Sequence, residues 1–184
     1  MISMCTEIEA KLKVDSIDEA GRKLVELGAE FLEEQIQTDY YFDDIKKTLT
    51  EGDRCLRLRR ELVNNSEKFF LAYKGVREKG QFKKRQQIEM EVNDPDPTEK
   101  LLKALGYSRV LVVEKKRQLW RLRECLVALD QLPLLGNFVE IEGPDEEKIA
   151  AAQKDLGLAN LPHIVESYAS LVSEKLRSLR DVNE

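Results

Sequence analysis

Like charges recur two residues apart along several stretches of this chain, in most of them with an apolar residue between. Near the N-terminus, Glu7-Ile8-Glu9-Ala10-Lys11-Leu12 alternates charged and apolar positions. Successive side chains of a β-strand point to opposite faces. Glu7, Glu9 and Lys11 therefore share one face, and Ile8, Ala10 and Leu12 the other. The pattern returns at Arg57 and Arg59 between Leu56 and Leu58, and at Glu89 and Glu91 between Ile88, Met90 and Val92. Lys115 and Arg117 share a face, and Glu140 and Glu142 alternate with Val139 and Ile141. Like charges on one strand face repel, so each pair calls for counter-charge from a neighbouring strand. A closed barrel meets that demand, with charged faces turned inward and apolar faces turned outward under helices. The expected class is α+β, a closed antiparallel β-barrel with helices packed outside, as one domain over residues 1–184.

Helices are marked by caps and stripes. Ser16 and Glu19 fit a capping box, Ile17, Ala20, Leu24 and Leu27 form a stripe, and Gly28 ends the run. A second helix is predicted from near Asp96, with Pro97 in its first position, to Gly106. A third runs from near Asp145 to Gly157, and a fourth covers 165–179. Strand-like stretches occupy 6–14, 31–42, 54–62, 68–75, 83–92, 109–122, 125–131 and 137–142. Glu51-Gly52 and Asn64-Asn65-Ser66 read as turns, and 94–97 as a break between two halves. Each half has a helix ending in Leu-Gly and then a long strand carrying aromatics, which predicts a duplicated unit.

Composition narrows the partners. The chain is 42% hydrophobic, enough for a core, and its net charge of −5 argues against a general nucleic-acid or membrane-surface binder. No nucleic-acid or membrane partner is expected. No apolar run approaches the roughly 18 residues of a membrane span, and residues 1–12 carry no apolar signal region. Cys5, Cys55 and Cys125 are odd in number and lack metal-ligand spacing; they read as reduced thiols of a cytoplasmic protein. His163, the sole histidine, reads as a surface or cap residue.

The inward charges define the chemistry. Glutamates are hard oxygen ligands that suit Mg²⁺ or Mn²⁺ and not Zn²⁺. Several Lys and Arg aimed into one lumen suit a ligand of about four negative charges, and a triphosphate fits. There is no Walker loop, and Gly75 and Gly80 form no phosphate cradle, so the site is built from side chains.

In this order the strings resemble the CYTH superfamily, the triphosphate tunnel metalloenzymes. Glu7-Ile-Glu9-Ala-Lys11 resembles its E-x-E-x-K signature, and Leu56-Arg57-Leu58-Arg59 its L-R-[LI]-R strand. Tyr73-Lys74-Gly75 resembles its K-G strand end, and Glu114-Lys115-Lys116-Arg117 its E-K-x-R strand. Asp130 and Gly136-Asn-Phe-Val-Glu140-Ile-Glu142 resemble its late acidic elements. Ser167-Tyr168 with Leu171 resembles the tail of the class IV adenylyl cyclase-like bacterial and archaeal members. The resemblance implies an eight-stranded barrel around an open-ended tunnel. It implies a metal side of Glu7, Glu9, Glu140 and Glu142 with Asp130 nearby. The implied phosphate side is Lys11, Arg57, Arg59, Lys74, Arg85, Lys115 and Arg117. One departure is visible: Gln87 stands in Arg85-Gln86-Gln87-Ile88-Glu89 where relatives often have R-x-E-x-E.

The activity expected is divalent-metal-dependent hydrolysis of an inorganic or organic triphosphate, with tripolyphosphate, ATP or thiamine triphosphate as substrate and Mg²⁺ or Mn²⁺ as cofactor. Lys11, Glu9 and Glu140 are the expected catalytic residues, Lys11 as a proton-transfer group. The alternative is a class IV adenylyl cyclase making cyclic AMP and pyrophosphate from ATP. The second alternative is a non-catalytic polyphosphate- or nucleotide-binding module. The apolar spacing of the last helix allows a homodimer interface, although covering the barrel is its first expected use.

Overall fold

The structure, a computed structural model, describes residues 2–181, with side chains from residue 4 onward. Its first half comprises β1 (Ile2–Val14), α1 (Ile17–Glu26), β2 (Glu30–Asp43), α2 (Thr48–Glu51), β3 (Cys55–Val63), β4 (Ser66–Lys74) and β5 (Lys83–Val92). The second half comprises α3 (Pro95–Ala104), β6 (Ser108–Leu122), β7 (Cys125–Leu132), β8 (Gly136–Glu142), α4 (Glu146–Asp155) and α5 (Tyr168–Asp181). The strands close into one barrel in the order β1-β5-β4-β3-β2-β6-β7-β8, with every pairing antiparallel.

β1 makes the closure. Its first part pairs with β5, down to Glu9 opposite Lys83. Its last part pairs with β8, from Glu9 opposite Glu142 to Val14 opposite Asn137. One strand thus brings the first and last acidic pairs side by side. The two long strands after the Leu-Gly turns, β2 and β6, lie next to each other with Thr38 opposite Glu114.

The outer apolar faces are covered by helices. α1 and α4 pack on β7, β8 and β1, burying Leu12, Leu24, Val127, Val139, Ile141 and Ile149 completely or nearly so. Each such side chain contributes about 1.5–3 kcal/mol through removal from water. α3 places Leu102 on Phe42 and Leu58. Gly143 permits the close approach of β8 to α4: a Cβ there would lie 2.9 Å from the Ile149 side chain. α5 differs from the others. It sets Tyr168 and Val172 against Val113, Leu132 and Phe138, and Val113 shares the inner face with Lys115 and Arg117. The last helix therefore packs on inner-face residues at one end of the barrel.

Several boundaries differ from the sequence reading. The N-cap of α3 is Asp94, whose side chain accepts from Asp96 N, so Pro95 holds the first helical position in place of Pro97. Two prolines two residues apart fit the first turn equally by pattern, and the capping carboxylate selects the earlier one. Ser16 caps α1 through Asp18 N. The sequence pattern places a turn at Glu51-Gly52; the short α2 leads into it because Asp43 and Asp44 accept bonds from the backbone N–H groups of residues 46, 48, 49 and 50. α5 begins at Tyr168, and β1 extends four residues earlier than predicted. Asn64 and Asn65 both have positive φ (48° and 63°), the geometry of a two-residue hairpin turn that asparagine tolerates. The three cysteines are free thiols.

Candidate active site: a charged tunnel

The inner face of the barrel surrounds a cavity of about 190 Å³ lined by eight basic and six acidic side chains. Alternation along each strand puts them there. β1 supplies Glu7, Glu9 and Lys11, β3 supplies Arg57 and Arg59, and β8 supplies Glu140 and Glu142. β4 and β5 add Lys74 and Arg85, and β6 adds Lys115 and Arg117. Asp130 of β7 lies directly behind this lining and is fully buried.

The acids and bases are arranged as pairs. Glu7 holds Lys74 through both oxygens, at 2.8 and 2.7 Å. Burial opposes ionisation of Glu7, but the Lys74 and Lys83 ammonium groups outweigh it and hold the carboxyl at about 2. Glu9 accepts from Lys83 at 2.5 Å. Asp130 accepts from Arg117 at 2.7 and 2.6 Å, from Lys115 at 3.1 Å and from the Tyr168 hydroxyl at 2.9 Å. Despite complete burial, these cations hold Asp130 below the usual carboxylate range. Glu140 bridges Arg117 and Lys11, the latter at 3.4 Å. Arg57 reaches Glu89 at 3.2 Å.

Lys11 is almost inaccessible. Its ammonium donates to the Glu166 carbonyl at 2.9 Å and lies 4.2 Å from the Tyr168 ring centroid, inside a wall that includes Glu9 and Glu140. Burial and repulsion from Lys83 lower its pKa. Burial and Arg117 likewise bring Lys115 down to about 8.

Among the described residues, two lining groups have no ionic partner. Arg85 is 5% exposed and its Nε has no hydrogen-bond partner. Glu142 stands exposed at the end of β8 opposite Glu9. Partial desolvation and the nearby carboxylates of Glu7 and Glu9 push it up to about 7. Among the described residues, no three His, Cys, Asp or Glu side chains converge closely enough to enclose an ion. The acids nonetheless fit a hard divalent cation by chemistry: an oxygen-only set in which burial and the neighbouring carboxylates raise the Glu142 pKa, a crowding of negative charge that a cation would relieve.

The raised Glu142 has a consequence for stability. Below its ordinary value of 4.5 the group is protonated in both folded and unfolded chains. Between there and about 7 the folded protein keeps a proton that the unfolded chain has released, so stability falls as pH rises through this window. Glu142→Gln is expected to flatten this part of the profile and to be more stable than the parent at pH 8. Melting curves in chelator at pH 5 and pH 8 check it; the same pH dependence in both proteins would refute the assignment.

Lys83, Asp39 and Tyr168 are among the members of the site that the sequence does not single out. Lys83 precedes Arg85 by two residues and shares its face, a signal that was available. Asp39 binds Arg59 at 2.6 and 2.8 Å, and Arg57 stands 3.7 Å from it; its strand alternates with Gln35, Gln37 and Tyr41 on one face. Tyr168 was visible only as part of a terminal string. His163 lies outside the tunnel, with Nδ1 3.1 Å from Gln81 O and Nε2 2.9 Å from Gln153 Oε1.

Known proteins share this architecture. A Methanocaldococcus jannaschii protein named as a candidate adenylate cyclase is 32% identical over 136 residues, 74% of this chain and 75% of that protein. A solved Pyrococcus horikoshii structure superposes with a TM-score of 0.80 at 31% identity, covering 92% of this chain and 99% of its own. A Hippeastrum protein, described as a candidate adenylyl cyclase with a dominant triphosphatase activity, has the same fold at 17% identity, with a TM-score of 0.73 over 91% of this chain and 95% of its own. The CYTH domain model matches residues 6–168, the span from the first acidic strand to the tyrosine at the head of α5. With that match on a closed barrel whose charges face inward, the chain belongs to the CYTH domain family.

Proposed function

We propose that the protein hydrolyses a triphosphate inside the barrel. The observation that carries this reading is Arg85. A guanidinium buried without an ionic partner is unfavourable in the free protein and becomes favourable when an anion fills the space before it. Arg57 Nε is likewise buried and without a hydrogen-bond partner. A planar guanidinium can give two parallel bonds to phosphate oxygens.

Eight basic residues against six acids leave the tunnel cationic. Arg57, Arg59, Lys74, Lys83, Arg85, Lys115 and Arg117 would bind and orient the phosphate chain. Their charge would stabilise the negative charge gathered on the transferred phosphoryl group and on the departing phosphates. Lys11, with its lowered pKa, is the group placed to hold or move a proton on the attacking water. Asp130 would fix Lys115, Arg117 and Tyr168 in position, since both its oxygens are occupied. Glu7, Glu9, Glu140 and Glu142 would hold Mg²⁺ or Mn²⁺. When bound, such an ion offsets phosphate charge and makes a coordinated water more acidic.

The lining favours a compact polyanion over a nucleotide. Among the described lining residues none is aliphatic, and the aromatic ones are Tyr41 and Tyr168. The Tyr168 ring already faces Lys11 and Lys115, at 4.2 and 4.8 Å. A nucleobase would find little apolar surface to stack on. The second reading, cyclisation of ATP to cyclic AMP and pyrophosphate, draws its support from the names of the relatives, and the phosphate-binding residues serve both reactions. The free thiols support a cytoplasmic setting.

One product assay decides between them. Protein with Mg²⁺ or Mn²⁺ receives tripolyphosphate, ATP and thiamine triphosphate in separate reactions, and phosphate, pyrophosphate and cyclic AMP are quantified. Phosphate release from tripolyphosphate is the expected result. Cyclic AMP with stoichiometric pyrophosphate would replace hydrolysis with cyclisation, and binding without turnover of any substrate would remove both.

A further inference from the structure

Most basic residues in the tunnel are neutralised by an acid on a neighbouring strand, and Arg85 is not. The acid directly across from it, Glu7, turns both oxygens to Lys74. Asp53, which also feels the charge of Arg85, is held through both oxygens by Arg77. The next inward position on the same strand as Arg85 is Gln87, opposite Lys74. Its Oε1 is buried and has no hydrogen-bond donor. Beyond it on that face stands Glu89, which is taken by Arg57.

We propose that Gln87 is a specificity-determining residue. By placing a neutral amide between Arg85 and Glu89, it leaves one positive charge of this wall for the ligand to satisfy. The inference rests on the reading of the tunnel as a triphosphate site and adds what sets its charge demand. The wall of Arg57, Lys74 and Arg85 carries three cations against Glu7 and Glu89. A carboxylate at position 87 would lie two residues from Arg85 on the same face and across from Lys74. It would neutralise the wall in the free protein and repel an incoming phosphate chain. The amide does neither, and its unpaired oxygen can accept from a water that accompanies the ligand. Charge selectivity at this wall is therefore bound to a loss of stability in the free protein, the trade seen where a site is kept unneutralised for its ligand.

The test uses Gln87→Glu and the neutral control Gln87→Leu, with inorganic tripolyphosphate as probe. Binding is measured by calorimetry in chelator, and melting curves are recorded without ligand. Gln87→Glu is expected to weaken tripolyphosphate binding by about tenfold or more, equivalent to about 1.4 kcal/mol or more. The penalty should shrink as salt is raised, because the repulsion is screened. The same variant should melt at or above the parent temperature, since it gives Arg85 a partner. Gln87→Leu, which adds no charge, should lose less binding than Gln87→Glu and show no salt-dependent penalty. A residue that merely supports the fold would lose stability and binding together in both variants. Parental binding of tripolyphosphate by Gln87→Glu, or a lower melting temperature in that variant, would overturn the role of Gln87 while leaving the triphosphate reading in place. Failure of the parent protein itself to bind tripolyphosphate, with or without Mg²⁺, would overturn both.

Discussion

Asp130→Asn is expected to lower the melting temperature by about 10 °C or more. Asp130 is fully buried and is the acceptor for Arg117, Lys115 and the Tyr168 hydroxyl. Replacing it with an amide keeps the shape but removes the only charge facing Lys115 within ion-pairing distance among the described residues. Breaking a buried pair by removing one partner costs about 3–5 kcal/mol, because the charge left behind is desolvated and unneutralised. In a protein of this length each kcal/mol corresponds to about 2–4 °C in melting temperature. Arg117 keeps Glu140, so the loss concentrates on Lys115 and on the anchor of α5. The variant should also expose the C-terminal helix, measurable as faster amide exchange in residues 168–181. A melting temperature within 2–3 °C of the parent would mean that Asp130 is not the keystone of this wall.

Arg85→Ala is expected to behave in the opposite way. The free protein should be as stable as the parent or more so, since the variant removes a buried cation that has no ionic partner. Turnover of tripolyphosphate should fall steeply. Losing one charged contact to a desolvated phosphate corresponds to about a hundredfold or more in kcat/KM, or about 2.7 kcal/mol of transition-state stabilisation. Steady-state kinetics and a melting curve on the same preparation check both halves. A destabilised variant with parental kcat/KM would show that Arg85 serves the barrel and not a ligand. Together, Asp130 and Arg85 separate the two uses of charge in the tunnel: one group neutralises its neighbours, the other is kept without a neutraliser.

The inner face of the barrel was legible because alternation is a property of a single strand. Glu7, Glu9 and Lys11 had to share a face once β1 was a strand, and so did Arg57 with Arg59 and Glu140 with Glu142. The helix stripes and the glycines that end them were legible for the same local reason. Gly28, Gly106 and Gly157 all sit at positive φ just past their helices. The start of α3 was misplaced because two prolines offered the same local signal. Asp39 and Lys83 were missed although each lay on a readable strand face. Their weight in the site comes from Arg59 and from Glu9, which lie 20 and 74 residues away in the chain.

What the amino-acid sequence determined by itself is therefore which side chains turn inward and what chemistry they bring: carboxylates, ammonium groups and guanidinium groups on one continuous face. Only the tertiary structure decided which charge neutralises which. That assignment depends on register and on closure of the barrel, through which β1 serves both β5 and β8 and sets Glu7 across from Arg85 and Glu142 across from Glu9. Pairing two charges is a short-range matter of a few ångströms, and those distances exist only after strands far apart in the chain have been brought together. The same closure that satisfies Lys74, Lys83, Lys115 and Arg117 leaves Arg85 unpaired and Glu142 crowded by acids. Among the described residues, those two lining groups have no opposite charge within ion-pairing distance.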